Sequence, residues 1–193
     1  MPKELEEILK LSYSFAAIDR DLYYPERPRP ENDAEHAFQL SLAAWYIIEL
    51  NKFPLDQSKV FKLCLAHDLV EVYSGDVPLW GKTGHDEKAA REHEALHTLE
   101  QKFPLTPDLT DVIAEYKERK TDEARFVYGL DKLLPFLNQL TTEGKVWKMR
   151  EVSLAQTLEK TDTFKGVSTY LSPYFDEAIE YVKTHQERFF DVR

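Results

Sequence analysis

The segment Ala66-His67-Asp68-Leu69-Val70-Glu71, followed by Ser74-Gly75-Asp76, is the most informative part of this chain. It places an adjacent histidine and aspartate on a predicted helix, with a glutamate one turn later. An imidazole and a carboxylate that are neighbours in sequence can both reach one divalent cation. Such a pair also occurs often by chance, so it becomes informative only if the rest of the chain supplies further ligands.

Length and composition predict a globular protein with one core. The chain has 193 residues, of which 42% are hydrophobic and 12% aromatic, which is typical of a folded domain. The formal net charge is -10 at pH 7, which argues against a nucleic-acid polymer as partner. A small phosphorylated molecule is compatible with this charge if a metal ion or a few basic side chains supply local positive charge.

Cysteine content and the amino terminus restrict the class of protein further. A single cysteine excludes a disulfide framework and a cysteine-rich zinc site. The opening Met1-Pro2-Lys3-Glu4 begins a charged segment without an apolar signal region, and no apolar run approaches the length of a membrane span. We therefore expect no membrane partner and a cytoplasmic location.

Apolar residues recur three and four positions apart along most of the chain, which predicts an all-α fold. Residues 19–31 are predicted to be a loop because their three prolines block a helix, and residues 81–84 are predicted to form another. The predicted helices cover residues 4–17, 32–50, 56–73, 86–103, 106–120 and 121–142, with two more beginning near residues 152 and 172. We expect one HD-type helical bundle over residues 1–193, with a motif-bearing core at about 10–140 and C-terminal helices at about 150–190.

Three of these helices carry ionisable side chains where the helical pattern places core residues. His36 lies one turn before an apolar stripe, Asp131 interrupts another, and a third stripe continues into His67, Asp68 and Glu71. Burying an unpaired carboxylate costs several kcal/mol. Each group alone is most simply explained by a local partner, such as a carbonyl or a lysine. For the whole set, one shared divalent cation is the simpler explanation.

The chemistry of the predicted ligands is coherent. His36, His67, Asp68 and Asp131 offer two neutral nitrogens and two carboxylates, whose charge balances that of a divalent ion. Mixed nitrogen and oxygen ligands favour Mn, Co, Fe, Ni or Zn, and Mg is less usual with two histidines. Four ligands leave room for water and substrate, and the metal activates water for attack on phosphorus or an acyl carbon. Glu71 either orients this water and transfers a proton, or forms a salt bridge on a solvated face.

The order His36, His67-Asp68, Asp131 resembles the H…HD…D signature of the HD-domain metal-dependent phosphohydrolases. Over roughly residues 10–140 the chain is similar to the branch that contains bacterial and human 5'-deoxynucleotidases. The segments that carry this similarity are Arg29-Pro30-Glu31-Asn32-Asp33-Ala34-Glu35-His36, Ala66-His67-Asp68-Leu69-Val70-Glu71, Gly75-Asp76, Glu123-Ala124-Arg125-Phe126-Val127 and Leu130-Asp131-Lys132. The resemblance implies an all-helical HD fold, a bound divalent metal, phosphomonoester hydrolysis and a homodimer.

The same resemblance implies roles for single residues. In this branch the glutamate that matches Glu71 is catalytic, and the aspartate that matches Asp76 lies near the sugar, so we assign both to the catalytic set. An arginine in the loop before the first histidine binds phosphate. In this chain Arg20, Arg27 and Arg29 all compete for that role.

Two further residues are candidates for substrate binding. Trp80 either stacks on a base or anchors local packing. Lys132, next to Asp131, either neutralises a phosphate or is exposed to solvent. Together these features predict a hydrolase that acts on a small phosphomonoester, with a nucleoside 5'-monophosphate favoured, through attack by metal-activated water.

Three other functions stay open at this point. The chain is alternatively an HD hydrolase of another phosphorylated metabolite or signalling nucleotide, or a non-catalytic HD module that binds nucleotide or protein. The intact ligand set argues against the module. The third is a zinc protease, because His93-Glu94-Ala95-Leu96-His97 matches H-E-x-x-H and Glu115 follows as a possible third ligand. Charged flanks and the lack of predicted strands argue against the protease.

Overall fold

The structure is a computed structural model that describes residues 2–77, 79–80, 85–104 and 106–191, without the side chains of residues 85–89. The elements are α1 (Lys3–Phe15), β1 (Asp19–Tyr23), β2 (Pro30–Asn32), α2 (Asp33–Asn51), α3 (Gln57–Ala66), α4 (Glu71–Ser74), α5 (His85–Lys102), α6 (Pro107–Glu118), α7 (Asp122–Thr141), α8 (Lys145–Met149), α9 (Leu154–Lys165), α10 (Ser172–Thr184) and α11 (Gln186–Phe189). Helices dominate, and the two strands form one antiparallel pair. The all-α prediction is therefore confirmed with a small hairpin added, and the predicted domain boundaries stay a prediction.

The start of α2 follows directly from its sequence. Asn32 accepts the amide of Glu35, and the Glu35 carboxylate accepts the amide of Asn32, which is the predicted capping box. The helix ends where Lys52 adopts a left-handed conformation, just before Pro54. This anchored first turn sets the direction in which His36 leaves the helix.

The prediction of a loop over residues 19–31 is wrong where β1 pairs with β2. Prolines block a helix, but Pro30 begins a short edge strand, where a missing amide is tolerated. The amide of Asp33 donates to the carbonyl of Ile18 at 3.1 Å and ties the hairpin to the start of α2. The hairpin therefore brings β1, with Arg20, over the first turn of α2.

The single helix predicted over residues 56–73 is interrupted between α3 and α4. The amides of Leu69 and Glu71 donate to carbonyls only three residues earlier, at 3.1 and 2.8 Å. Such tight turns have about three residues per turn, so side chains three apart lie on the same side. Asp68 and Glu71 consequently face one site, and Gly75, with a φ of 73°, ends α4 as predicted.

The core lies between α2, α3, α6 and α7. Its fully buried side chains include Leu40, Val60, Leu63, Ile113 and Val127. The predicted ionisable stripe residues continue this core, so the packing of the helices brings them together. Among the described residues, no helix has both the length and the apolar character needed to cross a bilayer.

A second apolar cluster attaches the C-terminal helices to the end of α7. Phe136 packs edge-on against Trp147, and Val182 and Phe189 are completely buried beside them. The short helices α8 and α11 were not predicted. Gly144, at the start of α8, has a φ of 69°, and an added Cβ would meet the carbonyl oxygen of Phe189 at 2.2 Å. The start of α8 and the end of α11 therefore approach too closely for any side chain at Gly144.

Candidate metal centre and active site

The four predicted metal ligands come together from three parts of the fold. His36 lies on α2, His67 and Asp68 lie between α3 and α4, and Asp131 lies on α7. Each offers one ligand atom, and these atoms all lie within 4.8 Å of one another. Nε2 of His36 is 2.9 Å from Oδ1 of Asp131, and Nε2 of His67 is 3.0 Å from Oδ2 of Asp68. Two nitrogens and two carboxylates thus converge on one point.

Both imidazole rings are oriented by acceptors on their outer sides. Nδ1 of His67 donates to the carbonyl of Cys64 at 3.0 Å, which leaves the Nε2 lone pair facing the cluster. That Nε2 is buried and makes no hydrogen bond with any of the described residues. Nδ1 of His36 lies 3.2 Å from Oε1 of Glu31, so a carboxylate also stands beside the outer nitrogen of the second ring. A buried nitrogen whose lone pair faces two carboxylate oxygens, at 3.0 and 3.7 Å, is suited to binding a metal, so these residues fit a divalent cation.

The carboxylate of Asp131 is held by two partners that do not belong to the ligand set. The Tyr116 hydroxyl donates to Oδ2 at 2.6 Å, and Nζ of Lys132 lies 2.7 Å from the same oxygen. Oδ1 is thereby left for the histidines. Burial would raise the pKa of Asp131, but Lys132 and the two histidines lower it well below its ordinary value. These partners therefore favour the ionised form of Asp131.

Without a cation, the cluster attracts protons strongly. Burial alone would lower the pKa of His67, but the carboxylates of Asp68 and Asp131 raise it to about 10. A proton on Nε2 and a metal ion compete for the same lone pair. The negative field that raises the proton affinity therefore also favours a divalent cation.

Glu71 lies beside the four ligands and is only 5% exposed. Burial, together with the charges of Asp68, Asp76 and Asp33, raises its pKa well above the ordinary value. Its Oε2 is buried and makes no hydrogen bond with any of the described residues. The alternative of a salt bridge on a solvated face is therefore wrong, and the raised pKa favours the protonated form of Glu71.

Of the three competing arginines, only Arg20 reaches the cluster. Its Nη1 donates to Oδ1 of Asp33 at 3.0 Å and to Oδ2 of Asp68 at 2.9 Å. Asp33 is completely buried and was not predicted as part of the site. An acidic residue in the first turn of a helix is usually explained by the helix dipole, so its sequence position hid this role.

Arg27 and Arg29 lie elsewhere. Nη1 of Arg27 donates to the Glu35 carboxylate at 3.0 Å, and Arg29 contacts the same carboxylate through two nitrogens at 2.9 and 2.5 Å. Both arginine side chains are about half exposed. Both side chains lie on a surface separate from the cluster of candidate ligands. Their role in substrate binding stays a prediction.

A cleft opens over the cluster and contains the other predicted residues. Asp76, Trp80 and Lys132 line it together with Arg20 and Glu71. Trp80 also packs against the C-terminal apolar cluster, so both of its predicted roles are compatible with its position. Other residues that line the cleft were not predicted and come from the C-terminal half of the chain. They include Gln139, Trp147, Thr157, Lys160, Thr161 and Phe164.

The H-E-x-x-H motif does not form a comparable site in the described structure. His93, Glu94 and His97 are exposed on α5, where Ala95 and Leu99 face the core. Nε2 of His97 is 2.9 Å from the amide nitrogen of the Gln101 side chain. Among the described residues, none of the groups able to hold a metal includes this motif.

The possible third zinc ligand, Glu115, is also committed to other partners. Its carboxylate accepts a hydrogen bond from Thr121 and contacts the ammonium group of Lys59, both at 2.5 Å.

Comparison with known proteins agrees with this geometry. The family model described as HD domain matches residues 18–169. This chain belongs to the HD-domain family. The predicted HD-type helical fold is confirmed, and so is the recognition of an HD-domain protein that resembles 5'-deoxynucleotidases.

Several relatives of this HD-domain chain are named 5'-deoxynucleotidases. The chain is 30% identical to the 5'-deoxynucleotidase HDDC2 of Homo sapiens over 133 residues, which cover 67% of this chain and 64% of that protein. It is 28% identical to the Xenopus laevis protein of that name over 144 residues, 73% of this chain and 70% of the relative. The 5'-deoxynucleotidase YfbR of Salmonella typhi is 27% identical over 169 residues, 78% of this chain and 84% of that one.

A solved structure shows the same fold over nearly the whole chain. It is a predicted metal-dependent phosphohydrolase from Magnetospirillum magnetotacticum MS-1, with a TM-score of 0.82 and 26% sequence identity. The match covers 97% of this chain and 94% of the other. Because the match covers nearly the whole chain, it extends over the C-terminal helices that line the cleft.

Proposed function

We propose that this HD-domain protein is a metal-dependent phosphohydrolase of small phosphomonoesters, with nucleoside 5'-monophosphates favoured. The observation that carries the proposal is the convergence of two histidines and two aspartates within 4.8 Å, with both aspartates lining a cleft. Relatives named 5'-deoxynucleotidases support the substrate class. The intact donor set argues against a module that only binds.

The metal would be held by His36, His67, Asp68 and Asp131. When bound, a divalent cation supplies a Lewis acid that polarises a phosphoryl oxygen and makes water a stronger nucleophile at neutral pH. The mixed donor set suits Mn, Co, Fe, Ni or Zn, and Mg with lower preference.

Two basic side chains are placed to bind the phosphate. Arg20 and Lys132 both line the cleft, and each contacts a carboxylate of the cluster, Asp68 at 2.9 Å and Asp131 at 2.7 Å. A phosphate entering the cleft would offer Arg20 a bidentate partner in place of Asp68. The two cations would also stabilise the charge that develops on the phosphoryl oxygens.

Glu71 would move the proton. Hydrolysis adds water across the bond between phosphorus and the ester oxygen, so one proton must reach the departing alcohol. In its ionised form Glu71 would take a proton from the attacking water, and its raised pKa would favour holding that proton until it is given to the departing oxygen. Asp76 would accept a hydrogen bond from a sugar hydroxyl, and Trp80 would stack on the base.

A substrate panel tests this proposal. Chelator-treated protein is reloaded with Mn²⁺, Co²⁺ or Mg²⁺ and offered ribo- and deoxyribonucleoside 5'-monophosphates, together with sugar phosphates and other phosphomonoesters. We expect phosphate release that requires the metal and is fastest with nucleotides. Faster turnover of another phosphorylated metabolite would replace nucleotides as the proposed substrate class. No phosphate release from any ester with any metal would refute the proposed hydrolase activity.

The predicted homodimer would use an apolar surface on α1 and α2. The exposed side chains are Leu5, Leu9 and Tyr13 on α1, and Phe38, Leu42, Trp45, Tyr46 and Leu50 on α2. Those on α2 are between 51% and 67% exposed and follow one helical stripe. A row of large exposed apolar side chains along one helix supports pairing of two copies through a two-fold axis.

Light scattering during gel filtration tests this dimer. We expect wild-type protein to elute as a dimer and Trp45→Glu as a monomer. Met149→Glu is the matched control, because Met149 is also 56% exposed but lies on α8. A monomeric wild-type protein would refute the dimer.

A further inference from the structure

One face of α9 forms part of the cleft wall. Its lining residues are Thr157, Lys160, Thr161 and Phe164, which follow one another at the spacing of a single helical stripe. We propose that the half-buried Lys160 is the specificity-determining residue of the cleft, and that its ammonium group donates a hydrogen bond to an oxo group of the base. The cleft would thereby select nucleotides with an oxo group over those with an amino group at the same ring position. This inference rests on the proposed function.

Packing at both ends of α9 places Lys160 midway along the cleft. Near the C-terminal end of the helix, the ring of Phe164 lies edge-on to that of Tyr128, with the centroids 6.3 Å apart. Tyr128 precedes the candidate metal ligand of α7 by about one turn. Near the other end of α9, Leu158 packs against the C-terminal apolar cluster that contains Phe136. Because Lys160 comes between Leu158 and Phe164, it lies between the metal end and the apolar end of the cleft.

The base of a nucleotide would lie at the same level. In the proposed function Trp80 stacks on the base, and Trp80 packs against the same apolar cluster as Leu158. The long stem of Lys160 lets its ammonium group reach from the wall towards a base held there. Among the described residues of α9 that line the cleft, Lys160 is the only charged one. Its position therefore favours a contact with the base over one with a phosphate at the metal.

Lys160 differs from the other basic side chains of the cleft because it has no acidic partner. Arg20 and Lys132 contact carboxylates of the cluster at 2.9 and 2.7 Å. Among the described residues, no carboxylate forms an ion pair with Lys160, whose Nζ lies 5.7 Å from the centroid of the Phe164 ring. Such a ring contact is weaker than a charge-assisted hydrogen bond. A ligand can therefore take the ammonium group without breaking a salt bridge.

The α9 face offers a ligand hydrogen-bond donors. An ammonium group has three donors and no acceptor. Thr157 and Thr161 are only 1% and 4% exposed, and their hydroxyls donate to backbone carbonyls at 3.1 and 2.7 Å. Asp21 also lines the cleft, but its carboxylate is held by Arg150 at 2.9 Å. An oxo group can accept from Lys160, whereas an amino group would direct its own hydrogens at the ammonium group.

Matched nucleotide pairs test this selectivity. Deoxyuridine and deoxycytidine 5'-monophosphate differ only in an oxo or amino group and in the hydrogen on the adjacent ring nitrogen, and so do deoxyinosine and deoxyadenosine 5'-monophosphate. With metal-loaded wild-type protein, we expect kcat/KM to be about tenfold higher for the oxo member of each pair. Lys160→Met should abolish this ratio. Lys160→Glu, whose carboxylate only accepts hydrogen bonds, should reverse it.

Lys165→Met is the matched control and should keep the wild-type ratio. Lys165 also lies on α9, but it pairs with Asp176 and is not among the residues that line the cleft. Equal kcat/KM within both pairs in the wild type would overturn the inference. An equal loss with all four nucleotides in Lys160→Met would overturn it as well, because this result would place Lys160 at the phosphate.

A binding measurement separates failure of this inference from failure of the proposed function. If no nucleotide is hydrolysed, the proposed function fails, and equilibrium dialysis of deoxyuridine and deoxycytidine 5'-monophosphate against metal-loaded protein still measures the selectivity. Tighter binding of the oxo nucleotide in the wild type, but not in Lys160→Met, would support the role of Lys160. Equal binding of the two nucleotides by the wild type would refute it.

Discussion

The segment His67-Asp68-Leu69-Val70-Glu71 and the H-E-x-x-H motif of α5 both place histidine and carboxylate side chains within about one helical turn, yet only the first contributes to a candidate metal centre in the described structure. His67 and Asp68 end a buried stripe and meet His36 and Asp131 from distant helices. His93 and His97 lie on the solvent face of their helix. The difference teaches that ligand spacing within one helix is weak evidence, because a metal site also needs burial and partners from elsewhere in the fold.

The largest effect is expected from replacing histidines in the two regions separately. We expect His67→Asn to abolish metal binding and to reduce activity by more than the roughly 100-fold typical of outer partners of a metal site. The matched control, His93→Asn/His97→Asn, should change neither, because these side chains are exposed. Elemental analysis and phosphate release measure both effects. Loss of metal only in the control would show that α5 holds the true site.

The next test compares the two glutamates. We expect Glu71→Gln to lower kcat by about 10²- to 10⁴-fold, because it removes the proposed proton carrier. The metal ion at the four proposed ligands should stay bound, since Glu71 is not one of them. Glu94→Gln, in the exposed motif, should be neutral. Unchanged turnover in Glu71→Gln would contradict the catalytic role.

The pH dependence of the metal-free protein separates the buried from the exposed histidines. Because the folded pKa of His67 is raised to about 10, its stabilisation is complete below the ordinary pKa of about 6.5 and is lost as pH rises towards 10. We expect metal-free protein to lose a few kcal/mol of unfolding free energy across that interval. Urea denaturation measures the loss, which should be smaller in His67→Asn and unchanged in His93→Asn/His97→Asn.

A weaker effect is expected for a residue that hydrogen-bonds to a candidate metal ligand without binding the metal itself. Tyr116→Phe removes the hydroxyl that donates to Asp131 at 2.6 Å, and we expect a 10- to 100-fold weaker metal affinity. Gln101→Ala removes the hydrogen-bond partner of His97 and should leave affinity unchanged. Isothermal titration with Mn²⁺ gives both values, and equal affinities in the two variants would remove Tyr116 from the proposed support of the metal.

The sequence predicts the candidate site well wherever the signal is local. Helical periodicity placed His36, His67 and Asp131 on core-facing stripes, and the capping box at Asn32 set the start of α2. The break between α3 and α4 was missed because residues 67–70 have no proline or glycine, and only hydrogen bonding shows the tight turns. The hairpin was missed because prolines exclude a helix more clearly than they indicate an edge strand.

Other parts of the candidate site depend on contacts that no local pattern records. Arg20 meets Asp68 across 48 positions, and His36 meets Asp131 across 95. The sequence left Arg20, Arg27 and Arg29 as equal candidates, and the pairing of β1 with β2 selects Arg20, which enters the centre.

The helical class, the four candidate ligands and the candidate proton carrier can be read from the amino-acid sequence. They follow from the period of apolar residues and from the donor chemistry of single side chains, both of which are visible over a few turns of helix. That Tyr116 donates to Asp131, that Asp33 shares Arg20 with Asp68 and that α9 lines the cleft could be seen only in the folded chain. Burial and pairing arise when helices pack, and packing joins residues that are far apart in sequence.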